Sequence, residues 1–288
     1  MKVQNINSNI NVKNTVWNKM VQRLSFLAKI PSKIPFYLVN EDTMDTICPP
    51  KKTFNEECLK EIIKNIDEKI KKYESIQELE NLWKMVEECQ KNIYKNVGCY
   101  SKNGAQFLKI NEPSIFICPE RIYNNASKPE VIIQKVGIHE IVHAYIDRKF
   151  KDVFESVIEE SLANAIAFIH FKENEKNEIM KFINEQPVEY KGCYFWLMYD
   201  NLKLSFILKS WKEDKFLTLF LFSLYFPLEI QPVEILIFWK FYRNVLYFPF
   251  SSASPKFLWD LYMHCKNKND ILPFLQLLSI DILKYAMI

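Results

Sequence analysis

The stretch His139-Glu140-Ile141-Val142-His143 decides how this chain is interpreted. Residues four apart lie on the same face of an α-helix, so the two imidazoles point in the same direction. Two imidazoles in that arrangement suit one divalent zinc ion, and Glu140 beside them can serve as a general base. The chain has only four histidines, and chance alone would produce this motif in about one chain of this length in a hundred. The motif therefore predicts a zinc site.

The sequence around the motif predicts one long, buried helix. Ser127 can cap its N-terminus, Pro129 fits the first turn, and Glu130 can complete a capping box. The helix is expected to run to about Lys149, with apolar residues over most of its circumference, which indicates burial on more than one side. Gly137, just before the motif, either permits another backbone to approach closely or is simply tolerated. Polar groups in such a helix must be satisfied, either by a metal or by hydrogen bonds within the core.

A third metal ligand is expected from a second helix, which a tight turn would place antiparallel to the first. This helix is predicted to begin after a cap at Asp152 and to end near Phe171. Glu160 is the preferred ligand because its stripe along the helix is small and polar, whereas Glu159 is the better candidate for a surface residue. Asn164, one turn after Glu160, is predicted to hold a ligand histidine by its second ring nitrogen. Alternatively, both glutamates lie on a solvated face of this helix and bind no metal.

The histidine motif and the helix that follows it resemble a known family of enzymes. The string His139-Glu140-x-x-His143 with a later helical glutamate resembles the zinc metallopeptidases called gluzincins, which include thermolysin and the zinc aminopeptidases. Glu160-Ser161-Leu162-Ala163 is similar to the Glu-Gly-x-Ala string that carries the third ligand in the aminopeptidases, with Ser161 in place of glycine. This helix is more loosely similar to the glutamate helix of ImmA/IrrE-type peptidases. The resemblance extends from Ser127 to Phe171.

The resemblance implies a ligand set and a reaction. It implies Zn²⁺ held by His139, His143 and Glu160, with Glu140 activating a water that hydrolyses a peptide bond. It also implies a donor for the tetrahedral oxyanion, because gluzincins supply a tyrosine or a histidine from beyond the third ligand. Tyr190 is preferred here, since it lies in a predicted turn after the glutamate helix. The other candidates are Tyr194, Tyr199, His170 and His264.

The predicted fold class is α+β and mainly helical. Four glycines and 49% apolar residues argue against disorder and against a turn-rich β-sandwich. Short strands are predicted at Phe36–Val39, at Gln106–Ile110 and at Ser114–Cys118. The resemblance implies a zincin-like core, in which a small sheet accompanies the active-site helix and the glutamate helix. It further implies that the strand before the active-site helix pairs with an extended peptide substrate.

Three consecutive segments are expected along the chain, although they could form one continuous domain. Residues 1–100 are predicted to contain a helical hairpin, made by Phe54–Tyr73 and by Ile76 to about Val97. Residues 101–185 would hold the catalytic core, and residues 186–288 a helical, aromatic-rich region. Connections are predicted in the region that ends at Pro49-Pro50, at Lys172–Asn177 and at Gln186–Gly192.

Composition and charge limit the partners. A net charge of +3, from 38 basic and 35 acidic residues, gives no electrostatic case for binding nucleic acid or anionic membranes. The most apolar segment, Phe216–Leu228, is too short to span a bilayer. Seven cysteines without metal-ligand spacing, and a polar N-terminal segment, predict reduced thiols and a cytoplasmic location. The expected partner is a peptide or protein substrate, and the oligomeric state is open.

Two other functions are compatible with the sequence. One is a zinc-binding regulatory or interaction protein that does not catalyse a reaction. Glu140 argues against it, because a structural zinc site needs no base and usually has four protein ligands. The other is a helical interaction protein with an accidental motif, which predicts no bound metal.

Overall fold

A computed structural model describes residues 2–24, 34–69, 76–150, 156–197, 255–270 and 272–287. These residues form a mixed α/β structure that is mainly helical and has a small sheet, which confirms the predicted class at that level. The elements in chain order are β1 (Val3–Asn5), α1 (Asn14–Leu24), β2 (Phe36–Leu38), α2 (Glu41–Ile47), β3 (Lys51–Phe54), α3 (Glu56–Lys69), α4 (Ile76–Glu87), β4 (Gln90–Tyr94), β5 (Gly98–Ser101), β6 (Ser114–Ile117), α5 (Pro119–Asn125), α6 (Pro129–Phe150), α7 (Ser156–Ile169), α8 (Glu173–Asn184), α9 (Val188–Lys191), α10 (Cys193–Leu197), α11 (Pro255–Lys268) and α12 (Leu272–Ala286).

The described residues divide into two compact units. The first falls within Met1–Thr53 and Lys91–Leu197, and the second within Phe54–Gln90 and Met198–Ile288. This division differs from the three consecutive segments expected from sequence. The second unit is discontinuous, since the helical hairpin belongs with elements near the C-terminus, and a discontinuous unit leaves no compositional boundary along the chain.

A four-stranded sheet supports the first unit, with the strand order β1-β2-β6-β5. Strand β2 runs parallel to β1 and to β6, and β5 runs antiparallel to β6, with Tyr100 opposite Ile115. Strand β6 is buried throughout and has a partner on each side. The expectation that the strand before the active-site helix accepts a peptide is therefore wrong for β6. The unpredicted strand β5 occupies that edge.

The predicted strand at Gln106–Ile110 is also wrong. Residues Gln106–Leu108 form a short 3-10 helix, and Lys109 after it has a left-handed conformation with φ of 57°. Ala105 and Ile110 pair with each other as an isolated bridge. The segment therefore closes on itself and does not extend the sheet.

Helix α6 is the centre of the first unit. It packs against β5 and β6 and against the helices α1, α5, α7 and α8, which explains its nearly continuous apolar surface. Its bounds agree with the predicted helix, but its N-terminus is capped differently. The amide of Lys128 and the hydroxyl of Ser127 both donate hydrogen bonds to Glu178 of α8, which replaces the predicted capping box. A side chain at Gly137 would lie 2.5 Å from Sδ of Met20, so a neighbouring side chain, and not a backbone, approaches there.

Several predicted connections are regular elements. Helix α2 forms in the predicted turn region because Asn40 caps it, accepting a hydrogen bond of 3.0 Å from the amide of Thr43. Helix α8 occupies the predicted charged linker, where Arg23 pairs with Glu175 at 2.6 Å. The short helix α9 lies in the predicted turn. The second hairpin helix ends at Glu87, and β4 follows where the sequence favoured helix.

The second unit contains the helices α3, α4, α11 and α12. Helix α4 packs against α3 and α12, which confirms a helical hairpin at Glu56–Lys69 and Ile76–Glu87. Cys58 and Cys89 form a disulfide, so the expectation that all seven cysteines are reduced is wrong for this pair. A bond of this kind is atypical of the cytoplasm, and the cytoplasmic location stays a prediction. Within the described ranges, no helix is both long and apolar enough to cross a membrane; Phe216–Leu228 lies outside those ranges.

Candidate metal centre

Helices α6 and α7 lie side by side and bring three side chains together. His139 and His143 come from successive turns of α6, and their Nε2 atoms are 2.9 Å apart. Glu160 comes from near the start of α7, and its Oε2 atom lies 3.1 Å from Nε2 of His139 and 3.3 Å from Nε2 of His143. The three predicted ligands therefore converge on one point.

The separations among these atoms fit a small divalent cation. Zinc binds nitrogen and oxygen at about 2.0–2.1 Å in tetrahedral geometry, which places neighbouring ligand atoms roughly 3.3 Å apart. The three observed separations run from 2.9 to 3.3 Å. Imidazole and carboxylate ligands also suit other divalent transition metals. The geometry thus fits a three-ligand metal site of the kind that leaves further coordination positions open.

Glu159 holds His143 from the other side of the ring. Its Oε1 atom lies 2.6 Å from Nδ1 of His143, and 27% of its side chain is exposed. The sequence favoured Glu159 as a surface residue and assigned the support of a histidine to Asn164. In the structure Glu159 has that supporting position. A carboxylate on the second ring nitrogen fixes the tautomer and orientation of a ligand histidine.

Lys51 of β3 contacts the third predicted ligand. Its Nζ atom forms an ion pair with Oε1 of Glu160, the oxygen that faces away from the histidines. Its ammonium group also lies 4.9 Å from the ring centroid of Tyr190. The two oxygens of Glu160 therefore have separate partners, which leaves Oε2 alone as the ligand atom.

Burial and mutual charge set the protonation of the cluster. Burial, with a smaller effect of His143, lowers the pKa of His139 to about 3. Burial alone would lower the pKa of His143, but the charge of Glu160 and the hydrogen bond to Glu159 outweigh it and raise this pKa well above its usual value. Burial would raise the pKa of Glu160, yet Lys51 and His143 hold it well below its usual value. The carboxylate of Glu160 is therefore ionised, and a cation that binds at Nε2 of His143 would release the proton of that ring.

Glu140, the residue after His139, lies against the edge strand β5. Its Oε2 atom accepts a hydrogen bond of 2.8 Å from the amide of Tyr100 in β5. A side chain at Gly98 would lie 2.8 Å from Oε1 of Glu140 and 2.5 Å from Cγ1 of Val136, so glycine is required for this close approach. Burial raises the pKa of Glu140 to about 7. A carboxyl group poised near neutrality is suited to accept and release a proton.

Tyr190, the preferred oxyanion donor, is buried beside His139. The two rings are stacked, with centroids 5.8 Å apart and an interplanar angle of 27°. Burial raises the pKa of Tyr190 well above its usual value, so the phenol stays protonated. Nδ1 of His139 is buried and has no hydrogen-bond partner among the described residues. Stacking, and not a hydrogen bond on the second nitrogen, holds this histidine.

Asn164 is fully buried but does not contact either histidine ring through a hydrogen bond. Its amide donates to the carbonyl of Tyr190 at 3.1 Å, and its Oδ1 accepts from Nζ of Lys135 at 2.5 Å. Gln186 completes this group, since its Oε1 lies 3.4 Å from Nζ of Lys135. Asn164 thus ties α7 to α6 and to the segment that carries Tyr190, a different role from the predicted one.

The remaining oxyanion candidates lie elsewhere. The hydroxyl of Tyr194 donates to Asn184 at 2.7 Å on the surface. His170 follows α7, and its carbonyl accepts from Arg23 at 3.0 Å. His264 belongs to α11 in the second unit, and Tyr199 lies outside the described residues, as does Asp152, the predicted cap of α7.

Three features of the site were missed from sequence. Lys51 and the Tyr100 amide reach it from strands far from the motif, and nothing in their local sequence marks them. Lys135 did carry a signal, because it lies four residues before His139, on the same face of an otherwise apolar helix.

Comparison of the chain with protein-family models, with curated proteins and with solved structures gives no match.

Proposed function

We propose that this protein is a zinc-dependent peptidase with a zincin-like core formed by the sheet, α6 and α7. The observation that carries the proposal is the convergence of His139, His143 and Glu160, with Glu140 next to His139 in the chain. A protein that used zinc only for stability would need a fourth protein ligand and no neighbouring base. Here the described residues supply three ligand atoms, and Glu140 is not one of them because the backbone of β5 donates a hydrogen bond to its carboxylate.

The ligand residues and their supports have separate tasks. His139, His143 and Glu160 would hold the ion, Glu159 would orient His143, and Lys51 would keep the second oxygen of Glu160 occupied. A zinc ion in this position supplies Lewis-acid chemistry to a water and to the scissile carbonyl.

Glu140 would act as the general base, taking a proton from the attacking water and passing it to the leaving amine. Its hydrogen bond from Tyr100 fixes one carboxylate oxygen and leaves the other for the proton. Tyr190 would stabilise the developing oxyanion through its protonated hydroxyl. Its stacking on His139 supports that role, because it places the phenol ring next to the ligand set.

Metal content and cleavage together test the proposal. Elemental analysis of the wild-type protein should give about one zinc per chain. Glu160→Ala should lose or strongly weaken that zinc. Glu140→Gln should keep it and lose cleavage of a peptide library by a factor on the order of 10²–10⁴. Glu173→Gln is the matched control, since this glutamate side chain is 86% exposed on α8, and it should change neither quantity.

Other outcomes would point to other functions. If the wild-type protein takes up no zinc, the motif is accidental, and the protein is better explained as a helical interaction module. Zinc in the wild type with no cleavage of any library peptide would favour a regulatory zinc-binding protein. Undiminished cleavage by Glu140→Gln would remove Glu140 as the base.

A further inference from the structure

Lys51 places a positive charge directly against the carboxylate that would bind the metal. It lies in strand β3, and its ammonium group forms an ion pair with Oε1 of Glu160. Oε2 of the same carboxylate is the oxygen that faces the two histidines. A metal ion bound at Oε2 would therefore share the carboxylate of Glu160 with a second cation, and the two cations would repel each other.

The orientation of Glu160 does not depend on Lys51 alone. Its Oε2 atom lies 3.1 Å from Nε2 of His139 and 3.3 Å from Nε2 of His143, and helix α7 packs closely against α6. These contacts hold the ligand oxygen from the side of the histidines, whereas Lys51 contacts only the other oxygen. Loss of the ammonium group would therefore leave the ligand oxygen in place, and the main effect of Lys51 on a bound metal is its charge.

A second contact keeps the Lys51 ammonium beside the ligands. Its Nζ atom lies 4.9 Å from the ring centroid of Tyr190, a distance at which a cation is attracted to the face of an aromatic ring. Tyr190 is buried and stacked on His139, and the backbone of Lys51 is held by the pairing of β3 with β4. The positive charge is therefore fixed next to the metal position and does not simply move into solvent when a metal binds.

We propose that Lys51 competes with the metal ion for the carboxylate of Glu160 and thereby keeps the metal of this site exchangeable. The inference rests on the metal site of the proposed peptidase and adds how the occupancy of that site is regulated. The site would fill when free zinc is supplied and would empty when a chelator removes it. The same three ligands without a neighbouring cation would hold their zinc more tightly.

The repulsion between Lys51 and a divalent ion is large enough to be measured as a change in affinity. Coulomb energies between charges on opposite sides of one carboxylate are strong in a site with little water. Solvent screens part of the repulsion, because 33% of the Lys51 side chain is exposed. A further part is offset, since a neighbouring cation also favours the ionised form of Glu160. Removal of the charge is therefore expected to tighten zinc binding on the order of 10–100-fold.

Zinc affinity, measured on the full-length chain by competition with a chromophoric chelator, tests the proposal without any substrate. Lys51→Met removes the charge and keeps most of the length of the side chain, so it should bind zinc about 10–100-fold more tightly than the wild type. Lys51→Arg keeps the charge and should bind zinc as the wild type does. Lys52→Met is the matched control, since Lys52 is the exposed neighbour on β3, and it should also leave the affinity unchanged.

The rate of zinc loss gives a second readout on the same proteins. Zinc-loaded protein is mixed with an excess of chelator, and the release of zinc is followed with time. Lys51→Met should release zinc more slowly than the wild type, Lys51→Arg and Lys52→Met. Urea unfolding of each metal-free variant checks that the fold is kept. If Lys51→Met does not fold, Lys51→Gln takes its place as a neutral but polar substitution with the same expected result.

Several outcomes would overturn the inference and leave the peptidase proposal intact. Equal zinc affinities in all four proteins would mean that the charge of Lys51 has no effect on the metal. Weaker binding by Lys51→Met would mean that Lys51 orients Glu160 and supports the site. Tighter binding by Lys51→Arg as well would mean that the charge is not the cause.

The failure of the peptidase proposal would look different. Zinc binding in none of the proteins would refute the metal site and this inference together. The expected order of affinities without cleavage of any peptide would count against the peptidase alone, because the affinities are measured without substrate. Zinc bound by Lys51→Met but not by the wild type would support the inference, since the competition would then be strong enough to keep the natural site empty.

Discussion

The imidazole of His143 lies between two adjacent glutamates that make different contacts. Glu159 faces Nδ1 at 2.6 Å, and Glu160 faces Nε2 at 3.3 Å. A proton on Nδ1, shared with Glu159, leaves Nε2 as the nitrogen that can bind a cation. In the proposed site Glu160 is therefore the ligand, and Glu159 is the residue that orients a ligand.

Substitution of Glu159 tests this division at the scale of a single residue. Glu159→Gln should weaken zinc binding by about 10–100-fold, because the amide holds the His143 ring less firmly than a carboxylate does. Chelator competition measures the effect, with Glu173→Gln as the exposed control. An unchanged zinc affinity would mean that Glu159 is only a surface residue and does not orient His143. Complete loss of zinc, as expected for Glu160→Ala, would mean that Glu159 is itself a zinc ligand.

At this scale the sequence predicts groups on the two neighbouring helices and misses groups contributed by the strands. His139, His143 and Glu160 can be predicted from helical spacing, because residues on the same face of a helix contact the same neighbouring element. Asn164 was predicted to hold a ligand histidine, whereas Glu159 contacts His143 in the structure, because these contacts depend on how α7 rotates against α6. Lys51 was missed because only the tertiary fold brings a strand residue 109 positions away to Glu160.

The contact between β5 and α6 sets the position of Glu140 at the scale of elements. The amide of Tyr100 donates to Glu140, and the hydroxyl of Tyr100 donates to Asp147 at 3.0 Å, two turns further along α6. Lys102 also pairs with Asp147, at 2.8 Å. These contacts require the backbone of β5 to lie directly on the helix, which Gly98 permits.

Gly98→Ala should separate the two elements. Its Cβ would lie 2.5 Å from Cγ1 of Val136 and 2.8 Å from Glu140, and overpacking of this kind costs about 1–3 kcal/mol of unfolding free energy. Urea unfolding measures the loss, and faster hydrogen exchange at the Tyr100 amide would localise it.

Gly137→Ala is the matched control for this change. Its Cβ would meet only the flexible side chain of Met20 as a close contact, and alanine favours a helix interior by about 1 kcal/mol over glycine. The control should be neutral or slightly stabilising. Equal effects of the two substitutions would mean that β5 does not depend on a close approach at Gly98.

The elements that the sequence missed have weak local signals. Helix α6 was predicted nearly to its ends because its apolar surface is long and uninterrupted. Strand β5 has only four residues, Gly98–Ser101, and no alternation that identifies a strand. Helix α8 was taken for a linker because of its charges, yet its Glu178 is buried against Ser127 and its Glu175 pairs with Arg23. Partners distant in sequence stabilise both elements.

At the scale of the whole molecule, the buried cation of Lys135 destabilises the folded state. Lys135 is 1% exposed, and its described hydrogen bonds go to the neutral amides of Asn164 and Gln186. Its ammonium also lies 5.5 Å from the ring centroid of Phe182. Burial lowers the pKa of Lys135 from 10.5 to about 8, since no hydrogen bond to a carboxylate offsets the lost hydration.

Unfolding as a function of pH should reveal this cation. Between about pH 8 and 10.5 the unfolded chain keeps a proton on Lys135 that the folded protein has lost, so stability from this group rises with pH, by roughly 3 kcal/mol in full. Below pH 8 both states are protonated, and the unfavourable term is constant. The unfolding free energy of the wild type minus that of Lys135→Met should therefore increase across this range in urea titrations. Lys84→Met, at an exposed position of α4, should give a flat difference. A flat difference for Lys135→Met as well would mean that water or a nearby anion compensates the charge.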